Sequence, residues 1–265
     1  MLGGFISVPG RCASKTIETM MPKTLTYAVG DIHGSYTKLA NLIRHCTEHR
    51  GGNDFRFVFL GDYIDRGRRS KDVVDLLMQT QAAAPDNVTC LRGNHEDMLL
   101  SAAKGGDPRM WIENGGDATL RSYGVNRAED IPSEHLGWLK RLPFAISDAK
   151  RFYVHAGIMP GVPLEQQDRE VMLWIRTKFL SDQRDHGLYV VHGHTPTEDG
   201  MPELRHNRLG LDTLAWYGNP LFAAVFDNQH TGPIAFINDG GMIADAPATV
   251  LAHDGLPTGT RAHEH

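Results

Sequence analysis

Cysteine is scarce in this chain: Cys12, Cys46 and Cys90 are the three among 265 residues. A sparse, odd set argues against a disulfide framework and suits a reducing, cytoplasmic setting. None of the three opens a C-x5-R phosphate loop, because Glu18, Gly52 and Glu96 stand where the arginine would be. The usual cysteine-phosphatase chemistry is therefore not expected. No apolar run reaches the ~18 residues of a membrane span, so no membrane partner is expected. Positive charge is in deficit: 27 Lys and Arg face 32 Asp and Glu, a net −5. That balance does not support a global basic surface for nucleic acid. No internal repeat is visible. With 41% hydrophobic and 22% charged residues, the chain reads as one ordinary globular α/β domain with insertions.

The two ends read differently from the middle. The opening "MLGGFISVPGRCASKTIETMMPK" has only a short apolar stretch before Pro9 and makes a poor signal peptide. Residues 1–22 read as a disordered leader, or as sequence ahead of a natural start at Met20 or Met21. The closing 245–265 lacks periodicity and reads as a loosely held tail. The domain is placed at 23–244.

Between those limits strand, loop and helix alternate. "LTYAV" (25–29) runs into "GDIHGS", after which Leu39, Leu42, Ile43 and Cys46 recur at helical spacing. "FRFVFL" (55–60) leads to "GDYIDRG" and a helix for which Ser70 is a candidate N-cap. "NVTCL" leads to "RGNHE" and a helix over about 96–104. Each connection carries a helix, so these strands are expected to be parallel neighbours with right-handed crossovers. The segment 107–142 reads as mostly helical, and "EVMLWIRTKF" (170–179) as a short helix or turn. "RFYVHAG" and "LYVVHGHT" return to strands, and "NRLGLDT", "LFAAVFD" and "PIAFIND" read as a closing antiparallel set.

Five strand-like runs thus end in "GDIHG", "GDYIDRG", "RGNHE", "VHAG" and "VHGHT". In open α/β sheets, sites lie at the carboxyl ends of strands. Each loop alone is weak, since Asp31 suits a helix cap and His155 a buried core position. Together they gather oxygen and imidazole donors, with glycines that let backbone approach a small ion. Without cysteine, that mixture suits Mn, Fe or Zn in a reactive rather than a structural site. Several carboxylates among neutral donors suggest more than one cation.

The ordered set resembles the calcineurin-like metallophosphoesterases, specifically the phosphoprotein-phosphatase branch. That branch carries GD-x-HG, GD-x-x-DRG, GNHE, H-[AG]-G and GH in this order, and all five are present across 30–195. "LDTLAWYGNPLFAAVF" adds likeness to bacterial and phage phosphatases and to diadenosine tetraphosphatases. The "SAPNY" segment of eukaryotic relatives is missing. The resemblance implies a four-layer α/β/β/α sandwich of two mixed sheets flanked by helices. It implies two divalent metal ions, Mn foremost and Fe or Zn as options. Asp31 and His33 would serve the first, Asp62 both, and Asn94, His155 and His194 the second. His192 reads as a strand-end packing residue. Asp65 would pair with His95, raise its pKa and keep it a proton donor to the leaving oxygen. Arg66 would grip the phosphate with its forked donors, joined by Arg176 of "LWIR". Arg92 reads as tying loops together and Glu96 as serving a helix N-terminus. Two cations would turn water into the nucleophile for direct attack at phosphorus.

Two activities share that core. One is a serine/threonine protein phosphatase. The alternative splits diadenosine tetraphosphate into two ADP and needs base platforms, for which Trp111, Tyr123 and Trp174 are candidates. The substrate is accordingly a phosphoprotein or a nucleotide, and the oligomeric state is left open. A non-catalytic metal-binding scaffold fits poorly because every motif position is filled. A nuclease fits poorly because Pro196 stands where GH-x-H would place its second histidine.

Overall fold

Period-two alternation of apolar residues builds the centre of the molecule, which the computed structural model describes over residues 23–247. In chain order the strands are β1 (Thr24–Val29), β2 (Asp54–Phe59), β3 (Val88–Cys90), β4 (Ala145–Ser147), β5 (Arg151–Val154), β6 (Tyr189–His192), β7 (Glu203–Leu204), β8 (Arg208–Gly210), β9 (Phe222–Phe226), β10 (Ala235–Asn238) and β11 (Ile243–Asp245). The helices are α1 (Tyr36–Arg50), α2 (Ser70–Ala83), α3 (Asn94–Ala103), α4 (Arg109–Trp111), α5 (Asp117–Tyr123), α6 (Ser133–Arg141), α7 (Arg169–Trp174) and α8 (Thr177–Leu180). One sheet is ordered β11-β10-β9-β1-β2-β3 and the other β4-β5-β6-β8-β7. Both are mixed, each with a parallel trio at its heart: β1, β2, β3 in one and β5, β6, β8 in the other.

Side chains sort by strand face. Leu25, Tyr27 and Val29 of β1, with Phe57, Phe59, Ala223 and Val225, join Leu39, Leu42, Val73, Leu77, Leu99 and Leu139 of the helices. The intervening Ala28, Val58, Ala224 and Phe226 point the other way and meet Tyr153, Tyr189, Val191 and Leu209 of the second sheet. Phe152, Val154 and Val190 face outward again, onto Phe179 of α8 and the half-buried Met172 of α7. Burying both faces of each sheet yields the expected four layers, and each fully buried large side chain contributes about 1.5–3 kcal/mol.

Three local expectations change. "NRLGLDT" does not join the antiparallel closing set: β8 pairs parallel with β6, with Val191 opposite Leu209. Leu209 then enters the inter-sheet core, which an edge in the first sheet would not offer. Ser70 is the first residue of α2 and not its cap, and its buried hydroxyl accepts from the Asp65 N–H at 3.1 Å. The sheet also continues past 244, since Asp245 pairs with Ala235 and the Ala246 N–H donates to the Ile234 carbonyl. The leader read over 1–22 and the tail from 248 lie outside the described residues, as does Cys12. Cys46 and Cys90 are buried free thiols. Among the described residues no helix is long and apolar enough to cross a membrane.

Candidate metal centre

The C-terminal ends of the two parallel trios meet. Asp31 lies two residues beyond β1, Asp62 three beyond β2 and Asn94 opens α3 just after β3. From the second sheet, His155 follows β5 directly and His194 lies two beyond β6. The loops interlock: the Asp62 carbonyl accepts the Ile32 and His33 N–H groups at 3.0 and 2.9 Å, and the His155 carbonyl accepts the Gly193 N–H at 2.8 Å. Asp31 spans the sheets by accepting the His194 N–H on both oxygens, at 3.0 and 3.1 Å. A Cβ on Gly193 would come within 2.0 Å of Asp31 Oδ1, so the loop closes this tightly only with glycine there.

The six expected metal ligands are all brought together and all buried. Donor atoms of Asp62, His155 and His194 lie within 4.8 Å of one another, as do those of His33, Asp62 and His95. Asp62 belongs to both groups. Asn94 Oδ1 sits 2.8 Å from His155 Nε2 and 3.1 Å from His194 Nδ1. Backbone carbonyls fix the rings: His33 Nδ1 donates to Ile64 at 2.7 Å and His155 Nδ1 to Leu60 at 2.9 Å, turning each Nε2 toward the centre. Burial, then repulsion from His95, pushes His33 well below the usual imidazole range. Burial likewise takes His155 down to about 3 and His194 to about 2. Burial raises Asp31 and Asp62, with added repulsion from Asp212 on Asp31 and from Glu96 on Asp62. Neutral imidazoles beside carboxylates whose burial and mutual repulsion Arg66 only partly offsets are the donor set divalent cations require, so the residues fit them.

His95 and Asp65 form a pair at 2.7 Å between Nδ1 and Oδ2. The expected upward shift of His95 is not found: burial, then Arg66, takes it down to about 3. Burial raises Asp65 to about 7, against hydrogen bonds from Thr119 and Trp111. Both groups are too deeply buried for Coulomb attraction to offset desolvation. Sequence reasoning missed what holds Asp65. Trp111 Nε1 donates to both its oxygens, at 3.0 and 2.9 Å, and Thr119 Oγ1 donates at 2.6 Å. Trp111 is therefore no base platform, and Tyr123 is half-buried with its hydroxyl 2.9 Å from His135 Nδ1. Trp174 stands edge-on to His194.

Asp212 was also missed. It lies two residues beyond β8, is 1% exposed and sits close enough to Asp31 for the two carboxyl groups to repel. "RLGLDT" carries the signal, an apolar run ending on a carboxylate, but without the histidine that marks the other loops. Arg92 and Glu96 behave as expected. Arg92 donates to the Lys140 carbonyl and stacks on Phe144. Glu96 accepts N–H groups from Asp62, Tyr63 and the N-cap Gly93. His192 packs on Phe179.

The two arginines flank the centre on different sides. Arg66 donates from Nη1 to His33 Nε2 at 3.1 Å and from Nη2 to His95 Nε2 at 3.2 Å, its guanidinium over the Trp216 ring. Arg176, at the break between α7 and α8, donates from Nε to His194 Nε2 at 3.2 Å.

A model of the calcineurin-like phosphoesterase family matches residues 25–220. Serine/threonine-protein phosphatase 1 of Salmonella typhimurium strain LT2 is 30% identical over 210 residues, which is 75% of this chain and 90% of that protein. A cold-active protein-tyrosine phosphatase from a psychrophilic Shewanella superposes with a TM-score of 0.64 at 19% identity, covering 85% of this chain and 82% of its own. A protein provisionally described as a diadenosine tetraphosphatase superposes with a TM-score of 0.59 at 23% identity, over 86% and 98%. The two structures speak to the fold. The family match over most of the described residues, with the ordered motifs converging on one buried centre, shows that the chain belongs to the calcineurin-like phosphoesterase family.

Proposed function

We propose that this phosphoesterase is a serine/threonine protein phosphatase of the phosphoprotein-phosphatase type, working with two divalent cations. The observation that carries the reading is that Asp62 stands in both groups of potential metal donors. Asp31, His33 and Asp62 would hold one cation, and Asp62, Asn94, His155 and His194 the other. Bound there, the cations supply charge neutralisation and activation of water for in-line displacement at phosphorus.

The chain's own residues do the rest. Arg66 and Arg176 hold the phosphate oxygens from two sides and neutralise charge as it spreads. Arg66 donates to His95 Nε2 in this structure. A phosphate drawing Arg66 away frees that nitrogen to carry the proton for the leaving oxygen. Asp65 keeps the ring aligned through Nδ1. His95, Asp65 and the six candidate metal ligands are buried, whereas Arg66 is half-buried and Arg176 exposed, so the arginines meet the phosphate on the solvent side.

A protein substrate is favoured over a dinucleotide because Trp111 and Tyr123 are engaged inside the fold. Manganese is the cation we assign for work in vitro, and the cytoplasm is the compartment that the two buried free thiols suit. The deciding experiment assays manganese-loaded protein side by side on a phosphoserine peptide and on diadenosine tetraphosphate. A higher kcat/KM on the peptide is expected, and the reverse order replaces the protein phosphatase with the nucleotide enzyme.

A further inference from the structure

Beside the metal centre the surface opens into a cleft of about 500 Å³ lined by Arg66, Arg68, Ala118, Arg121 and Ser122. The lining brings three guanidinium groups and no carboxylate. Arg66 forms the wall shared with the centre, where its far side reaches His33 and His95. Arg121, on α5, keeps Asp117 one turn away as its ion-pair partner. The other cations of this region are spoken for: Arg69 by Asp72 and Lys71 by Asp75. Arg68 is exposed and, among the described residues, has no hydrogen bond or ion pair.

Its backbone is nonetheless fixed. The Arg66 N–H donates to the Gly115 carbonyl at 3.1 Å, the Gly67 N–H to Asp65 at 2.6 Å and the Arg69 N–H to Gly34 at 3.3 Å. A fixed loop lowers the ordering cost of capturing an anion. A neighbouring depression shares Arg66, Ala118 and Arg121 with the cleft but is lined also by Glu113 and Asp117 instead of Arg68, so a second anion would be repelled there. A group held at Arg66 thus has one electrostatically favourable direction in which to extend a further negative charge.

We propose that the Arg68–Arg121 cleft is a second anion subsite, taking a further phosphate carried by the same substrate beside the scissile one. Two forked donors from separate elements match a dianionic phosphate better than a single carboxylate, and the cleft is roomy enough for the phosphate and the chain that bears it. The inference rests on Arg66 holding the scissile phosphate. A second phosphate is available from a doubly phosphorylated peptide or from a polyphosphate chain.

The test compares wild type with Arg68→Ala and with the Arg68→Ala/Arg121→Ala pair, all manganese-loaded. The probes are a singly phosphorylated peptide, the same peptide with a second phosphoserine nearby, diadenosine tetraphosphate and 4-nitrophenyl phosphate. The double variant is expected to raise KM on the doubly phosphorylated peptide about five- to tenfold. Its kcat/KM on the singly phosphorylated peptide and on 4-nitrophenyl phosphate stays within about twofold of wild type, since neither offers a second phosphate. A loss confined to diadenosine tetraphosphate supports the subsite and assigns it to a polyphosphate chain. Equal loss on every probe, or none on any, overturns it. Arg66→Ala runs in parallel: unchanged turnover of 4-nitrophenyl phosphate by that variant would instead remove the phosphate grip on which the inference stands.

Discussion

Asp62 shows how much one side chain is asked to do. Its carboxylate faces His33 at 3.5 Å, His95 at 3.8 Å and His155 at 3.4 Å, and it also accepts the His95 N–H. Replacing it with Asn keeps the size and removes the charge that both cations would share. Asp62→Asn is expected to lose both metals and to fall to background turnover, read by elemental analysis beside kcat. Two retained metals would refute the bridging role. His95 separates proton supply from metal holding. His95→Asn should keep its metals while kcat on alkyl phosphates drops about 10²–10⁴-fold. The loss on 4-nitrophenyl phosphate should be much smaller, because nitrophenolate leaves without a proton. A uniform drop across leaving groups would refute the acid assignment.

At the scale of elements, the insertion that carries α4 and α5 proves to be a clamp on Asp65. A kink at Gly115, whose φ is 102°, joins the two helices, and Gly116 leaves room for the Trp111 indole, which a Cβ there would meet at 2.5 Å. Trp111→Phe retains the apolar bulk and deletes the indole N–H. The expected result is a ten- to hundredfold loss on alkyl phosphates, about what losing an orienting partner costs. KM and metal content should be unchanged and 4-nitrophenyl phosphate largely spared; equal losses on both substrates would mean a merely structural indole. The strands and five ligand loops were legible from sequence because each apolar run ends on chemically distinctive residues flanked by glycine. The clamp was not, because a tryptophan donating its N–H to a carboxylate and one offering its face to a base have the same sequence signature. Asp212 escaped for a related reason. Whether a three-residue strand runs parallel or antiparallel is decided by the neighbour awaiting a partner, here β6, and not by the strand's own residues.

Across the whole molecule, each sheet brings candidate ligands to one centre: Asp31, His33, Asp62 and Asn94 from the first, His155 and His194 from the second. Cation binding should therefore stabilise the sandwich as a unit. At cation concentrations about a hundredfold above Kd, chelation should lower Tm by about 5–10 °C. Asp62→Asn should melt at one temperature with or without chelator, and a chelator-insensitive wild type would contradict the arrangement. The far end of the sandwich is tied differently. Asp227, just past β9, pairs with Lys23 ahead of β1 at 2.6 Å. Burial alone would raise its carboxyl, but Lys23, His230 and nearby backbone N–H groups hold it down at about 2. A depressed folded pKa gives stability that is present above the unfolded value of about 3.9 and lost as pH falls through about 2. Asp227→Asn should thus cost about 1–3 kcal/mol at pH 7 and at pH 5, with the gap narrowing below about pH 4 in urea titrations. A pH-independent gap would place the effect elsewhere.

Among the described residues, six non-glycine positions have positive φ, and five of them are His33, Asp62, Asp65, Arg66 and His194. Each asks an L-residue to hold a shape that glycine holds freely, at roughly 1 kcal/mol apiece. Glycine would relieve that tension but would empty four buried sites and orphan their partners, so the neighbours gripping these side chains are what keeps the backbone bent where the chemistry needs it.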